Sequence, residues 1–328
     1  MVKAGKLDTE TLRQSVLNKI TYHREEVMVR PNVGEDCAIV DFGEYACVLS
    51  TDPITGAASE VGRLAVHISC NDIASSGVEP LGLLLTIMAP EGTTIEEIRQ
   101  VMEQAGETAA ALRVEIIGGH TEITSAVNRI VVSATAIGRQ RKDKVVLSQG
   151  AKIGDIILMT KSAGLEGTAI LAYDHEARLR RELGEAIVEG AKKMVEQISV
   201  IPEGKAAGAV GVSSMHDVTE GGLLGALWEL CEASMVGARI YREAIPIAPE
   251  TERICNFFQI DPLRLISSGC MLMTVDREKE EALLEKMREQ GISIAVIGEI
   301  IENGRYIIEA GNQREISPPE RDELFKIL

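Results

Sequence analysis

Four aspartates stand where an aspartate is awkward: Asp36 in Gly34-Glu35-Asp36-Cys37-Ala38, Asp52 in Ser50-Thr51-Asp52-Pro53, Asp72 in Asn71-Asp72-Ile73-Ala74, and Asp217 in Met215-His216-Asp217-Val218-Thr219. Each sits at the edge of an apolar segment, beside small residues. Carboxylates are seldom buried unless paired or bound to a metal. In a helix over 60–76, Asp72 shares a face with Ala65, Ile68 and Ser76. Asp52 ends a strand-like run, a common place for ligand-binding residues in α/β sheets. Converging carboxylates repel and raise one another's pKa. A shared divalent cation such as Mg²⁺ relieves that repulsion, because it takes oxygen ligands and keeps substrate phosphates in its shell. Metal bridging of phosphate oxygens is the core of phosphoryl transfer. Taken singly, each aspartate has a plainer reading. Asp52 can start a turn before Pro53, Asp217 can cap the next helix, and Asp36 can be solvated in a loop. The set of four favours a site, although spacing alone leaves convergence open.

Glycines supply the second signal. In Ile116-Ile117-Gly118-Gly119-His120-Thr121-Glu122 a β-rich run meets two glycines, a histidine and a hydroxyl. Such a turn lets backbone N–H groups close on an anion, and a plain Gly-Gly turn is the ordinary alternative. Gly164-Leu165-Glu166-Gly167-Thr168 opens a helix and is a second phosphate candidate, through the positive helix N-terminus. Neither a Walker nor a Rossmann glycine pattern is present. His216 and His120 are the histidines placed to handle protons. His67 reads as a packed residue on the helix of Asp72, and His23 and His175 lie in polar surroundings.

These residues need a scaffold. The chain has 328 residues, 45% of them hydrophobic and only 3% aromatic, so two ordinary domains with aliphatic cores are expected. A net charge of −16 argues against nucleic acid, whose phosphates need a basic patch. The six cysteines form no C-x-x-C pair, which disfavours a zinc site and fits a reducing cytoplasm. No apolar stretch approaches a membrane span, and no secretory h-region stands at Met1. Helical spacing covers 7–20, 60–76, 95–112, 164–172, a charged stretch over about 175–197, 222–234 and 277–290. Strand-like runs cover 45–50, 80–88, 114–117, 129–137, 155–159, 209–215, 270–275, 293–297 and 306–308. The polar stretch Arg139–Lys144, followed by Gly150, marks the boundary, giving domains 1–148 and 149–328. The class is mixed α and β.

In order, G-E-D-C-A (34–38), S-T-D (50–52), N-D-I-A-S-S-G (71–77), G-G-H-T (118–121), H-D-V-T-E-G-G-L (216–223) and S-S-G (267–269) resemble the aminoimidazole ribonucleotide (AIR) synthetase superfamily, over nearly the whole chain. The pattern is most similar to the hydrogenase maturation factor and its relatives. The resemblance implies two α/β domains, with N-terminal domains pairing across a homodimer into a barrel-like core. It implies ATP and Mg²⁺ in the cleft between the domains. Asp36, Asp52, Asp72 and Asp217 would hold the metal. Gly34, Asn71, Gly118, Gly119, Thr121, Gly164 and Gly269 would line the nucleotide. The implied chemistry is phosphorylation of a poorly reactive, amide-like or carbamoyl-type oxygen, with a maturation partner protein. Two alternatives accompany it: a small-molecule kinase of the thiamine-monophosphate kinase or selenophosphate synthetase type, or a nucleotide-binding accessory factor with little turnover. Two departures stand out. No cysteine follows Cys270, whereas the maturation factor carries its reacting group on a C-terminal cysteine. His120 replaces that factor's acidic residue, as in selenophosphate synthetase.

Overall fold

In a computed structural model, which describes residues 5–54, 60–319 and 321–327, the chain builds two sheets in sequence order. The first half contains α1 (Thr9–Ser15), β1 (Val27–Val29), β2 (Ala38–Phe42), β3 (Tyr45–Ile54), α2 (Val61–Ser75), β4 (Pro80–Ala89), α3 (Ile95–Leu112), β5 (Glu115–Ile123) and β6 (Val131–Arg141). Its sheet has the order β1-β2-β3-β6-β4-β5, antiparallel except for the parallel β4–β5 pair at one edge. The second half contains β7 (Ile156–Thr160), α4 (Leu165–Asp174), α5 (Glu176–Leu183), α6 (Glu185–Lys193), α7 (Ile201–Val210), β8 (Ser214–Val218) and α8 (Gly222–Ser234). It continues with β9 (Gly237–Tyr241), α9 (Pro249–Phe258), β10 (Cys270–Val275), α10 (Glu280–Glu289), β11 (Ile294–Ile301), β12 (Arg305–Glu309) and β13 (Asn312–Glu315). That sheet runs β13-β12-β9-β11-β7-β10-β8 and places β8, with Asp217, at one edge.

Most elements follow their sequence signals. At the start of α3, Thr94 and Glu97 form a reciprocal capping box, a contribution of about 1 kcal/mol. Differences arise where local chemistry interrupts a pattern. Gly184, at φ 91°, breaks the charged stretch into α5 and α6. The run at 209–215 spans two elements: it is the end of α7, then a turn at Gly211 in the left-handed region, then β8. The expected helix over 7–20 is the short α1 followed by a 3-10 turn. The strand holding Asp52 continues through Pro53, so Asp52 lies within β3, opposite Ala134 of β6.

Helix α2 is the hinge pin of the molecule. It lies on β3 and β6 of its own sheet and touches α7 and β8 of the other domain. At Gly204 of α7 a Cβ would fall 2.1 Å from the Ala74 carbonyl, so glycine alone permits this approach. Asn71 fastens the same contact. Its Nδ2 donates to the Ile198 carbonyl at 2.8 Å, and its Oδ1 accepts from the Val200 N–H at 2.9 Å. Each such buried bond contributes about 1 kcal/mol net. The helix carrying Asp72 is thereby fixed against the domain carrying Asp217.

Candidate functional site: a buried aspartate centre between the domains

The four aspartates, far apart in sequence, face one another. Asp36 sits in the loop before β2, Asp52 on β3, Asp72 on α2 and Asp217 on β8. Asp72 and Asp217 are only 5% and 1% exposed. Burial pushes the Asp72 carboxyl well above the usual carboxylate range, and the nearby charges of Asp217, Asp52 and Asp36 push it further. Asp217 is pushed up to about 8, by burial first and then by Asp36. The Ser50 hydroxyl donates to Asp72. Ser75 and Ser148 reach Asp36 Oδ2 at 3.2 and 3.4 Å. Neither Asp217 oxygen has a hydrogen-bond partner among the described residues.

His216 is held between two carboxylates, with Nδ1 2.6 Å from Asp36 Oδ2 and Nε2 3.1 Å from Glu229 Oε2. Burial works against its charged form, yet Asp36 and then Glu229 outweigh that and raise its pKa well above the ordinary value. An imidazolium bonded at both nitrogens orients Asp36 and offsets part of the acidic charge. Both nitrogens are engaged by carboxylates, so any proton His216 handles is shared with Asp36 or Glu229. Ligand atoms of Asp36, His216 and Asp217 lie within 4.8 Å of one another. Orphaned buried carboxylate oxygens next to three more aspartates are a donor set that fits a hard divalent cation.

Asp36, Asp52 and Asp72 open onto a cavity of about 560 Å³ between the domains. That is within the usual size of small-molecule sites. Ile54, Leu64, Ile68, Ile170, Ile266 and Phe325 provide apolar walls, while Glu166, Ser268 and Asp322 line it from the second domain. Gly34 borders a second recess beside Asp36, His216 and Glu229; its φ is 79°, and a Cβ there would meet the Glu229 carbonyl at 2.6 Å.

Several expectations fail in the geometry of the single chain. Gly118, Gly119, His120 and Thr121 form no loop. They lie within β5, an exposed edge strand that does not border the cavity. A Cβ at Gly119 would lie 1.9 Å from the Leu85 carbonyl, so this glycine admits the β4–β5 pairing. The His120 ring is two-thirds exposed, with Glu122 as its charged neighbour. Asn71 spends one N–H and its carbonyl oxygen on the interdomain clip and does not line the cavity. Gly164 and Gly269 are packed against Thr251 and Gln197 and do not line the cavity.

Other residues escaped the sequence reading. Glu229 is the first acid in the apolar run of α8, and that signal was present in the sequence. Glu166 stood inside the phosphate candidate at 164–168, where a carboxylate argues against an anion. Ser268 stood in the S-S-G motif with no role assigned to it, and Asp322 carried no signal, because only folding brings their segments together.

Among the described residues no helix is long and apolar enough to cross a membrane. The model of the AIR synthase related protein N-terminal domain matches residues 34–140, and that of the C-terminal domain matches 152–311. The chain is 30% identical over 309 residues to a putative hydrogenase expression/formation protein of Methanocaldococcus jannaschii, covering 90% of this chain and 88% of that one. It is 28% identical to the carbamoyl dehydratase HypE of Rhizobium leguminosarum bv. viciae, over 80% of this chain and 75% of the relative. Among solved structures, a HypE–HypF complex matches with a TM-score of 0.74 at 25% identity, covering 94% of this chain and 99% of that one. The fold also matches the hydrogenase maturation protein HypE in complex with ATP, with a TM-score of 0.70 at 22% identity, over 97% and 94% of the two chains. With both halves matched in order, the chain belongs to the AIR synthase related protein family.

Proposed function

We propose that the chain is an ATP- and Mg²⁺-dependent enzyme that activates a carbonyl or amide oxygen, of the carbamoyl type, by phosphorylation. The observation that carries this reading is the centre of four aspartates from separate segments, in which the buried Asp217 oxygens have no partner. Carbamoyl dehydratase relatives and an ATP-bound HypE of the same fold support it. Asp36, Asp52, Asp72 and Asp217 would hold Mg²⁺. The ion, when bound, neutralises charge on the transferring phosphoryl group. His216, clamped by Glu229, keeps Asp36 oriented. The apolar walls of the cavity exclude water from the reacting groups. The domain boundary is placed at 148/149, in the segment between the two sheets.

The working unit in this reading is a homodimer. The β4–β5 edge presents Leu81, Leu84, Ile117 and Ile123, all exposed and apolar, together with unpaired strand backbone. Exposed strand edges of this kind invite pairing. A second copy pairing here covers the patch and carries Gly118, Gly119, His120 and Thr121 toward its neighbour's nucleotide, the role the single chain denies them. A maturation partner protein is the further expectation, supported by the HypE–HypF complex.

Calorimetry with ATP, with and without Mg²⁺, on wild type and Asp72→Asn tests the core of this. Mg²⁺-dependent ATP binding by wild type is expected to fall at least tenfold in the variant, as loss of a charge-assisted ligand implies (about 1.5–3 kcal/mol). Equal binding by the two proteins sinks the aspartate site. ATP binding with no turnover across carbonyl and amide substrates would favour an accessory role.

A further inference from the structure

Where β7 ends, the backbone is strained. Lys161 takes a φ of 55°, in the left-handed region that residues other than glycine avoid. Its side chain is mostly buried, and Nζ donates to the carbonyls of Gln197 at 2.9 Å, Ser199 at 2.7 Å and Gly269 at 3.0 Å. A lysine ammonium has three N–H donors, so these carbonyls use all of them. Glu203, in the first turn of α7, stands 2.7 Å from the same nitrogen, and its side chain is 1% exposed. Neither Glu203 oxygen has a hydrogen-bond partner among the described residues. The buried carboxylate is therefore balanced by the charge of the ammonium alone.

Three carbonyl oxygens and a carboxylate around one nitrogen form a cage for a monovalent cation. Carbonyl oxygens can replace the hydration shell of K⁺, and K⁺ and NH₄⁺ are close to a lysine ammonium in size. A single carboxylate suits a single positive charge. The cage also stands where the domains meet. Ile198 and Val200, beside two of its carbonyls, are the residues that receive the Asn71 amide. On α7, Gly204 follows Glu203 and packs against the Ala74 carbonyl of α2. Gly269 closes the S-S-G turn, whose Ser268 lines the cavity. One cation thus ties the end of β7 to the segment that grips α2 and to the S-S-G turn.

We propose that Lys161 is a built-in monovalent cation: its ammonium fills an oxygen cage that would otherwise take K⁺ or NH₄⁺, and so fastens the interdomain contact without a dissolved ion. Lys161 does not line the cavity and is a positioning residue, holding the segment that receives Asn71. Its strained backbone follows from this task. Glycine at that position relieves the strain but leaves the Glu203 carboxylate buried and uncompensated. The inference stands apart from the phosphorylating activity, because it concerns how the domains are held and is read without nucleotide.

The test melts full-length protein in equal concentrations of potassium, ammonium or N-methylglucammonium chloride, the last cation being too large for the cage. Wild type is expected to show one Tm in all three salts. Lys161→Gly is expected to melt lower than wild type in N-methylglucammonium and to regain about 5 °C in K⁺ or NH₄⁺. Lys161→Met, whose uncharged stem still blocks the cage, should melt low in all three. Adding Glu203→Gln to Lys161→Gly removes the buried charge, so the double variant should fold in every salt and lose the K⁺ response. In crystals of Lys161→Gly grown with Tl⁺, an electron-dense substitute for K⁺, anomalous density is expected among the Gln197, Ser199 and Gly269 carbonyls. A Lys161→Gly chain that folds only with K⁺ or NH₄⁺ supports the assignment, and one that folds in none of the salts overturns it. So does a wild type that responds to K⁺ as the glycine variant does, a glycine variant that melts alike in all three, a K⁺ response that survives Glu203→Gln, or a cage without Tl⁺.

Discussion

The aspartate centre and the β5 edge strand are opposites. Both stood out in the sequence as phosphate-handling candidates, the first by its carboxylates and the second by its glycines. In the folded chain the aspartates converge between the domains, Asp72 and Asp217 buried and Asp36 and Asp52 half-buried, whereas Gly118–Thr121 lie in the open on the last strand of a sheet. The difference teaches what each residue type reveals. A carboxylate in an apolar segment has a cost that a partner, a cation or a bound proton must remove, so its position is informative. Glycine signals only that the backbone passes close to something, and at Gly119 that something is the Leu85 carbonyl.

The largest expected break in this contrast is at His216. It holds Asp36 and Glu229 together while buried, and removing one partner of such a set leaves an uncompensated charge, a loss of roughly 3–5 kcal/mol. His216→Ala should therefore unfold at markedly lower denaturant, with an unchanged m-value. His120→Ala, its counterpart on β5, should leave the midpoint where it is. Equal midpoints for wild type and His216→Ala would remove the clamp from the description.

Titration sharpens the same contrast. Asp217 keeps its proton in the fold up to about pH 8, but loses it near pH 4 when unfolded. The folded state thus binds the extra proton between those limits. The stability it contributes is complete below about pH 4 and is lost as pH rises toward 8. Metal-free protein should show a Tm falling from pH 5 to 8, by on the order of 5 °C. Mg²⁺ competes with the proton, so it should raise Tm more at pH 8 than at pH 5. Asp217→Asn should lessen the metal-free slope, leaving the part due to Asp72, and abolish the Mg²⁺ increment. A profile identical in wild type and variant would show that Asp217 is not the group responsible.

At the other pole, Gly119→Ala forces a Cβ into the Leu85 carbonyl and should cost roughly 1–3 kcal/mol through displacement of β5. Gly118 offers a control, because its Cβ would meet only a Leu84 methyl at 3.2 Å. If both alanine variants unfold together with wild type, β5 does not hold this register.

Legibility in the sequence divides along the same line. Elements with strong periodicity or caps, such as α3 with Thr94 and Glu97, were readable to the residue. The aspartates were readable as a set, since each was locally anomalous. The pairing of 164–168 with 265–269, made by the Gly164 N–H on Ser267 Oγ and the Gly167 N–H on the Ile266 carbonyl, was not, because its parts are a hundred residues apart. The Asn71 clip was misread for a related reason. An asparagine beside a site aspartate looks like a ligand contact, and only the approach of Ile198 and Val200 shows that both ends of its amide are taken.

The smallest effect is the most diagnostic. His120→Ala removes an exposed ring whose charged neighbour is Glu122, so stability should change by less than about 0.5 kcal/mol. If β5 stays a free edge, Mg²⁺-dependent ATP turnover should be unchanged too. If a second copy pairs there and delivers His120 to its neighbour's nucleotide, turnover should drop about tenfold or more while the melting profile stays put. Sedimentation of the same variant separates the cases. A dimer with lost turnover places His120 in the partner's site, and a monomer with lost turnover makes the histidine part of the interface. A wild-type monomer with full turnover removes the edge strand from the mechanism, leaving the aspartate centre of a single chain to do the chemistry.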